Sequence, residues 1–137
     1  VTDTLGVPLK LAGVVDKAGE VAILDKVVAK CSEDSVLWRL ALDFYTALPL
    51  AAEVEMDDNI AADPAKTVAG YGKFITRVPL AAMADFGTAM AMSTTPNLRE
   101  LLKTVTTALY VVPVTLDDET AESAGMRIDF DLYWLKA

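Results

Sequence analysis

The side chains in this sequence that could carry out chemistry are nearly all carboxylates. The chain holds 20 Asp and Glu residues against 12 Lys and Arg, and it has no His. Asp57 and Asp58 fall in one polar stretch, and Asp117, Asp118 and Glu119 fall in another. A hard cation such as Ca²⁺ needs several oxygen ligands in one place, but neither stretch follows the calcium-loop pattern. We therefore predict no metal site and interpret both stretches as solvated acidic loops.

The residue types that nucleophilic and acid–base catalysis require are absent or unsuitably placed. Without His, neither a Ser-His-Asp nor a Cys-His arrangement can form. Cys31 is the only cysteine, and we interpret it as a small buried side chain. Asp129 and Asp131 share the polar face of a predicted strand, so neither carboxyl has the burial that raises the pKa of an acid catalyst. We predict no catalytic residues, no cofactor and no enzymatic activity.

Length, charge and composition restrict the remaining possibilities. We predict one domain over residues 1–137, with an irregular segment over 1–15. The net charge is −8 and the basic residues form no cluster, so we expect no specific nucleic-acid binding. No apolar stretch approaches the roughly 20 residues that cross a bilayer, so we expect no membrane partner. The apolar share of 53% reflects either abundant Ala or a buried interface with other subunits.

The clearest local pattern is the alternation of apolar and polar residues near the end of the chain. Met126, Ile128, Phe130, Leu132 and Trp134 fall on one face of an extended chain, and the charged residues between them fall on the other. Side chains alternate across a strand, so the pattern predicts a half-buried strand over 126–134 that closes the fold.

The rest of the chain predicts a mixture of helices and strands. Spacing and capping residues favour helices over 16–31, over 80–92, and from Thr95 through the apolar stripe Leu98, Leu101, Leu102 and Val105. Residues 36–48 fit a helix or an alternating strand, and we prefer the helix. Strands are predicted over 50–56, 71–78 and 109–115, with Pro113 at an edge or a bulge. The predicted fold is a single α+β domain of antiparallel strand pairs packed with two to four helices.

This order of elements resembles the tail terminator proteins of long-tailed, non-contractile bacteriophages. The resemblance is carried by residues 48–54, 72–79 and 95–102, and by the acidic loop that runs into 126–134. It implies a ring, usually hexameric, that ends tail-tube growth and joins other structural proteins of the virion. The family has no catalytic residues, so the resemblance implies none here.

In such a ring we expect the subunit interface on the predicted helix over 80–92, where Met83, Phe86 and Met90 lie near one another. We expect Asp57, Asp58, Asp117, Asp118 and Glu119 at the lumen or the rim, where they would repel DNA phosphates. The expected location is the virion, or otherwise a soluble compartment that the sequence does not identify. Two alternatives stay open: an accessory subunit of another large complex, and a small-molecule-binding α+β domain with an aromatic-lined pocket. The chain begins at Val1, which fits removal of an initiator Met or of a longer segment.

Overall fold

The computed structural model describes residues 3–4, 8–32, 39–48, 74–85, 90–116 and 127–135. These residues form strands and irregular connections, and none of them is helical. In chain order the strands are β1 (Asp3–Thr4), β2 (Leu9–Lys10), β3 (Val21–Cys31), β4 (Leu40–Tyr45), β5 (Phe74–Pro79), β6 (Ala84–Asp85), β7 (Ala91–Thr95), β8 (Glu100–Lys103), β9 (Tyr110–Thr115) and β10 (Ile128–Leu135).

The strands form two antiparallel sheets of five strands each. Sheet A has the order β1-β9-β4-β5, and β2 also pairs with β9. Sheet B has the order β10-β3-β7-β6, and β8 also pairs with β3. Strands β7 and β8 follow one another along the same edge of β3, opposite residues 27–31 and 21–24 respectively. The long strand β3 is therefore the centre of sheet B.

The two sheets pack face to face around one hydrophobic core. Leu24, Val27 and Cys31 contribute to this core from β3, and Leu40, Leu42 and Phe44 contribute from β4. The ring of Phe44 meets the ring of Trp134 on β10 edge to face, with centroids 6.5 Å apart. The described residues thus form an all-β sandwich, and the prediction of an α+β fold with two to four helices is wrong.

The predicted helix over 16–31 is strand β3 from Val21 onward, and a β-bulge explains the error. Tyr133 pairs with Lys26 whereas Trp134 pairs with Leu24, so Asp25 is an extra residue on β3. The bulge places Leu24 and Val27 on the same face although they are three residues apart. That spacing imitates the period of a helix in the sequence.

The preferred helix over 36–48 is also wrong, because residues 40–45 form strand β4. All six of its residues are buried. Leu40, Leu42 and Phe44 face the main core, while Ala41 and Tyr45 belong to a second cluster on the other face of sheet A. A strand that is buried on both faces has apolar residues on both, which obscures the two-residue period. The alternating interpretation of this segment is confirmed for 40–45.

The two later helices are also wrong, because the described residues of 80–92 and of the stretch from Thr95 to Val105 form strands and irregular chain. Leu80 donates its N–H to Leu40 O on sheet A, and Ala81 donates its N–H to the Thr95 hydroxyl on sheet B. The segment after β5 therefore crosses from one sheet to the other. Past Thr95, Asn97 and Arg99 have φ angles of 55° and 49°, which a right-handed helix does not allow. Leu98 instead donates its N–H to Asp25 O.

Three strand predictions are confirmed within the described residues. Strand β10 has the predicted alternation, with Phe130 turned to the core and Asp131 exposed. Strand β5 covers most of 71–78 and β9 covers most of 109–115. Pro113 lies inside sheet A rather than at its edge, in the interval between the β1 and β2 pairings. The predicted strand over 50–56 lies outside the described residues.

Candidate functional site on the outer face of sheet B

The described carboxylates do not assemble into a metal-binding cluster. Within the ranges that the structure describes, no three Asp, Glu or Cys side chains are placed to hold a metal ion. Arg127 Nε lies 3.1 Å from an Asp129 oxygen, and Lys30 Nζ lies 3.9 Å from an Asp131 oxygen. Both pairs are well exposed, as the predicted polar face of the closing strand requires. Cys31 is buried in the core as a free thiol.

Among the residues that the structure describes, the most deeply buried charge belongs to an ion pair on sheet A. Arg77 Nε and Nη2 donate hydrogen bonds of 2.7 and 2.8 Å to the two carboxylate oxygens of Asp43, directly across the β4–β5 ladder. The Asp43 side chain is only 3% exposed. These bonds raise the pKa of the Arg77 guanidinium above its ordinary value. The two charged groups form hydrogen bonds with each other, so we assign the pair a structural role.

Threonine hydroxyls form a second buried polar cluster, at the end of β4. The Thr46 hydroxyl contacts the Thr104 hydroxyl, and Thr104 donates to Ala108 O at 2.9 Å. Thr106 donates to Thr46 O at 2.6 Å. The partners in these bonds are hydroxyls and backbone carbonyls, which do not activate a hydroxyl as a nucleophile. We interpret the cluster as a clamp between β4 and the β8–β9 connection.

Three apolar side chains stand in a line across the outer face of sheet B. Ile23 on β3 is paired in register with Leu101 on β8 and with Leu135 on β10. Leu101 is 64% exposed and Leu135 is 43% exposed, whereas their neighbours Leu102 and Trp134 turn toward the core. We call Ile23, Leu101 and Leu135 the apolar row. Directly opposed side chains in a sheet are close enough to touch, so the row is a continuous apolar surface.

A cleft of about 450 Å³ opens beside the apolar row. Its lining includes Val14, Val21, Trp134 and Leu135, with Asp16 and Glu20 on the polar side. Glu20 accepts hydrogen bonds from the N–H groups of Asp16 and Lys17 at 2.9 and 3.0 Å. These bonds stabilise the carboxylate and hold the pKa of Glu20 below its ordinary value. We call this feature the end cleft.

The two predicted interface residues that the structure describes differ in how deeply they are buried. Met83 is 3% exposed and belongs to the core, so it is turned away from any neighbouring subunit. Met90 is partly buried, and Phe86 lies outside the described residues. The helix on which these residues were expected to share a face is absent from the described part of 80–92.

Asp57, Asp58, Asp117, Asp118 and Glu119 all lie outside the described residues. The two acidic stretches remain as predicted from sequence alone.

The apolar row was not predicted from the sequence because its members come from three separate segments. Leu101 was assigned to the buried stripe of a helix, together with Leu98, Leu102 and Val105. In the structure Leu102 is fully buried, while Leu101 and Val105 are exposed. A strand period over 100–103, with Leu101 and Lys103 on one face, was the available signal.

Comparison with protein-family models, with curated proteins and with solved structures finds no match to this chain. Among the described residues, no helix is long and apolar enough to cross a membrane.

Proposed function

We propose that this protein is a non-enzymatic structural subunit of a larger assembly. The observation that carries the proposal is the apolar row on sheet B, in which Leu101 and Leu135 are exposed on either side of the partly buried Ile23. Covering apolar surface gains about 25 cal/mol per Å² removed from water, so a flat apolar line on a sheet favours protein contacts. We interpret the ion pair Asp43–Arg77 and the threonine clamp as structural features rather than as reactive groups.

The specific form that we propose is a ring subunit of a virion, as the resemblance to tail terminator proteins implies. Strand β5 falls within one of the stretches that carry the resemblance, and β10 overlaps another. The stretch from Thr95, however, continues into strand β8 instead of a helix. The exposed row therefore supports the proposal better than the order of elements does. A head-to-tail ring requires two different patches on each subunit, and the row is one candidate.

A second candidate function is small-molecule binding in the end cleft. The cleft is favoured by its volume of about 450 Å³ and by the presence of an aromatic residue, Trp134, in its lining. Ligand sites are commonly concave and mostly apolar with a few polar groups. A ligand that copurifies with the protein and is identified by mass spectrometry after denaturation would support this function over the first.

The structural-subunit proposal is tested by placing a charge in the apolar row. Leu101→Glu should abolish incorporation of the protein into its assembly, because a buried unpaired carboxylate is costly in an interface. Its melting temperature should change little, because Leu101 is 64% exposed in the subunit. Val105→Glu is the matched control, since Val105 is 73% exposed and outside the row. Incorporation is measured by sedimentation and immunodetection of the assembled particles.

If Leu101→Glu enters the particles as efficiently as Val105→Glu, the row does not form the contact. If a structure of the particle shows the row in water and no repeated contact between copies, the ring form is excluded.

A further inference from the structure

Strand β10 is an eight-residue edge strand whose second edge is open within the described part of the chain. It pairs along its whole length with β3 on one side. No described strand pairs with it on the other side. An open edge presents alternate backbone N–H and C=O groups that can bind another extended segment.

The core-facing side chains of β10 are incompletely covered. Ile128, Phe130, Leu132 and Trp134 pack against the core but are only partly buried. The core-facing residues of the adjacent strand β3, such as Leu24 and Val27, are 0% exposed. This difference is what the loss of one neighbouring strand would produce. An added strand with apolar residues at alternate positions would cover the exposed flank of all four side chains.

The solvent-facing side of the same edge is acidic. Asp129 and Asp131 are about half exposed, with side-chain exposures of 52% and 54%. Their contacts with Arg127 and Lys30 are surface ion pairs, which are weak enough to be exchanged for others. Residues two apart on β10 face residues two apart on an added strand. Complementary charge therefore requires Lys or Arg at positions i and i+2 of the occupant.

A second copy of this chain does not supply such a segment. The 12 basic residues of the sequence are nowhere two positions apart. Pairing β10 with β10 of another copy near the middle of the strand would bring four carboxylates together, in molecules that each carry a net charge of −8. The occupant must therefore come from a different protein.

We propose that β10 binds an extended segment of a partner protein as an added strand of sheet B. The segment has apolar residues at alternate positions, facing Ile128, Phe130, Leu132 and Trp134. It has Lys or Arg at two successive intervening positions, facing Asp129 and Asp131. The proposal rests on the proposed function, since it names the kind of partner that holds the subunit in its assembly. The same carboxylates keep the edge from pairing with itself.

The test uses a synthetic peptide of the same length as β10. Valine occupies its alternate positions, and lysine occupies two successive intervening positions. Binding to the intact protein should slow hydrogen exchange at the β10 amides that point away from β3. Asp129→Asn and Asp131→Asn should each weaken binding by about 2- to 5-fold. Asp85→Asn, which removes the same charge at the opposite edge strand β6, should leave the affinity unchanged.

Three results with the peptide would overturn the proposal. One is peptide binding that leaves exchange in β10 unaltered. Another is equal affinity for a peptide with glutamate in place of lysine, and a third is equal weakening by Asp85→Asn and Asp131→Asn. In the assembled particle, β10 amides that exchange as fast as in the free subunit would also exclude it, while leaving the structural-subunit function intact. Conversely, if the peptide binds β10 as an added strand but the protein does not enter any particle, the proposed function alone is excluded.

Discussion

At the scale of single residues, the pair Asp43–Arg77 shows how a buried charge is tolerated on sheet A, on the face that is turned away from the main core. The residues are directly opposed on β4 and β5, and each carboxylate oxygen accepts one hydrogen bond from the guanidinium. Taking ions out of water is costly, and the cost is offset only when both partners and their hydrogen bonds are in place. We therefore expect the pair to contribute more to the alignment of β4 with β5 than to the net stability of the fold.

Removal of one partner should be much more damaging than removal of both. Arg77→Met leaves the 3% exposed carboxylate of Asp43 without its partner and should lower the free energy of unfolding by about 3–5 kcal/mol. The double variant Asp43→Leu with Arg77→Met should be less destabilised than this single variant. The exposed pair provides the control, because Arg127→Met should cost less than about 1 kcal/mol. Urea denaturation measures all three, and equal losses for the single and double variants would show that the pair is not coupled.

At the scale of elements, the threonine clamp joins the end of β4 to the connection between β8 and β9. Val105 donates its N–H to the Thr46 hydroxyl at 3.0 Å, and Gly19 donates its N–H to Thr104 O at 2.8 Å. The clamp thus ties the turn before β3 and one end of sheet A to the same connection. Backbone groups that leave the sheets there are satisfied by side-chain hydroxyls.

Deletion of one hydroxyl from the clamp should destabilise the protein without changing its shape. Thr104→Val keeps the volume of the side chain but deprives Ala108 O and the Thr46 hydroxyl of a buried partner. We expect a loss of about 1–3 kcal/mol in the free energy of unfolding. Thr107→Val is the control on the same connection, since Thr107 is exposed. If thermal denaturation gives the same melting temperature for both variants, the Thr104 hydroxyl does not stabilise the fold as a clamp.

At the scale of the whole molecule, the sandwich depends on contacts between its two sheets. Phe44 on sheet A is completely buried and meets Trp134 on sheet B at an angle of 77°. Trp134 also lines the end cleft, so one side chain connects the core to the candidate site. Aromatic pairs of this geometry add energy beyond the area that they bury.

A double-mutant cycle should detect this contact between sheets. Phe44→Leu and Trp134→Leu should show a coupling energy of about 0.5–1.5 kcal/mol in the free energy of unfolding. Tyr45 lies on the opposite face of sheet A, where it packs against Phe74. The cycle of Tyr45→Leu with Trp134→Leu should therefore be additive. If both cycles give the same coupling, Phe44 and Trp134 do not form the specific contact described.

The sequence by itself determined the strands whose two faces differ. In β10 one face meets the core and the other meets water, so Ile128 to Trp134 alternate visibly, and the pattern alone indicates which side chains face the core. The same reasoning located most of β5 and β9, because β-branched residues there are concentrated between turns and prolines. The absence of His and of paired cysteines likewise restricts the available chemistry through composition alone.

Only the tertiary structure decided the remainder. A bulge at Asp25 shifts the phase of β3, and burial on both faces removes the period of β4, so local spacing imitated helices in both. Ile23, Leu101 and Leu135 become neighbours only through ladder pairing between distant segments. Local sequence patterns indicate which face of a segment is exposed to solvent. Which segments pair, and which apolar side chains stay uncovered, is set by contacts distant in sequence, which no single stretch encodes.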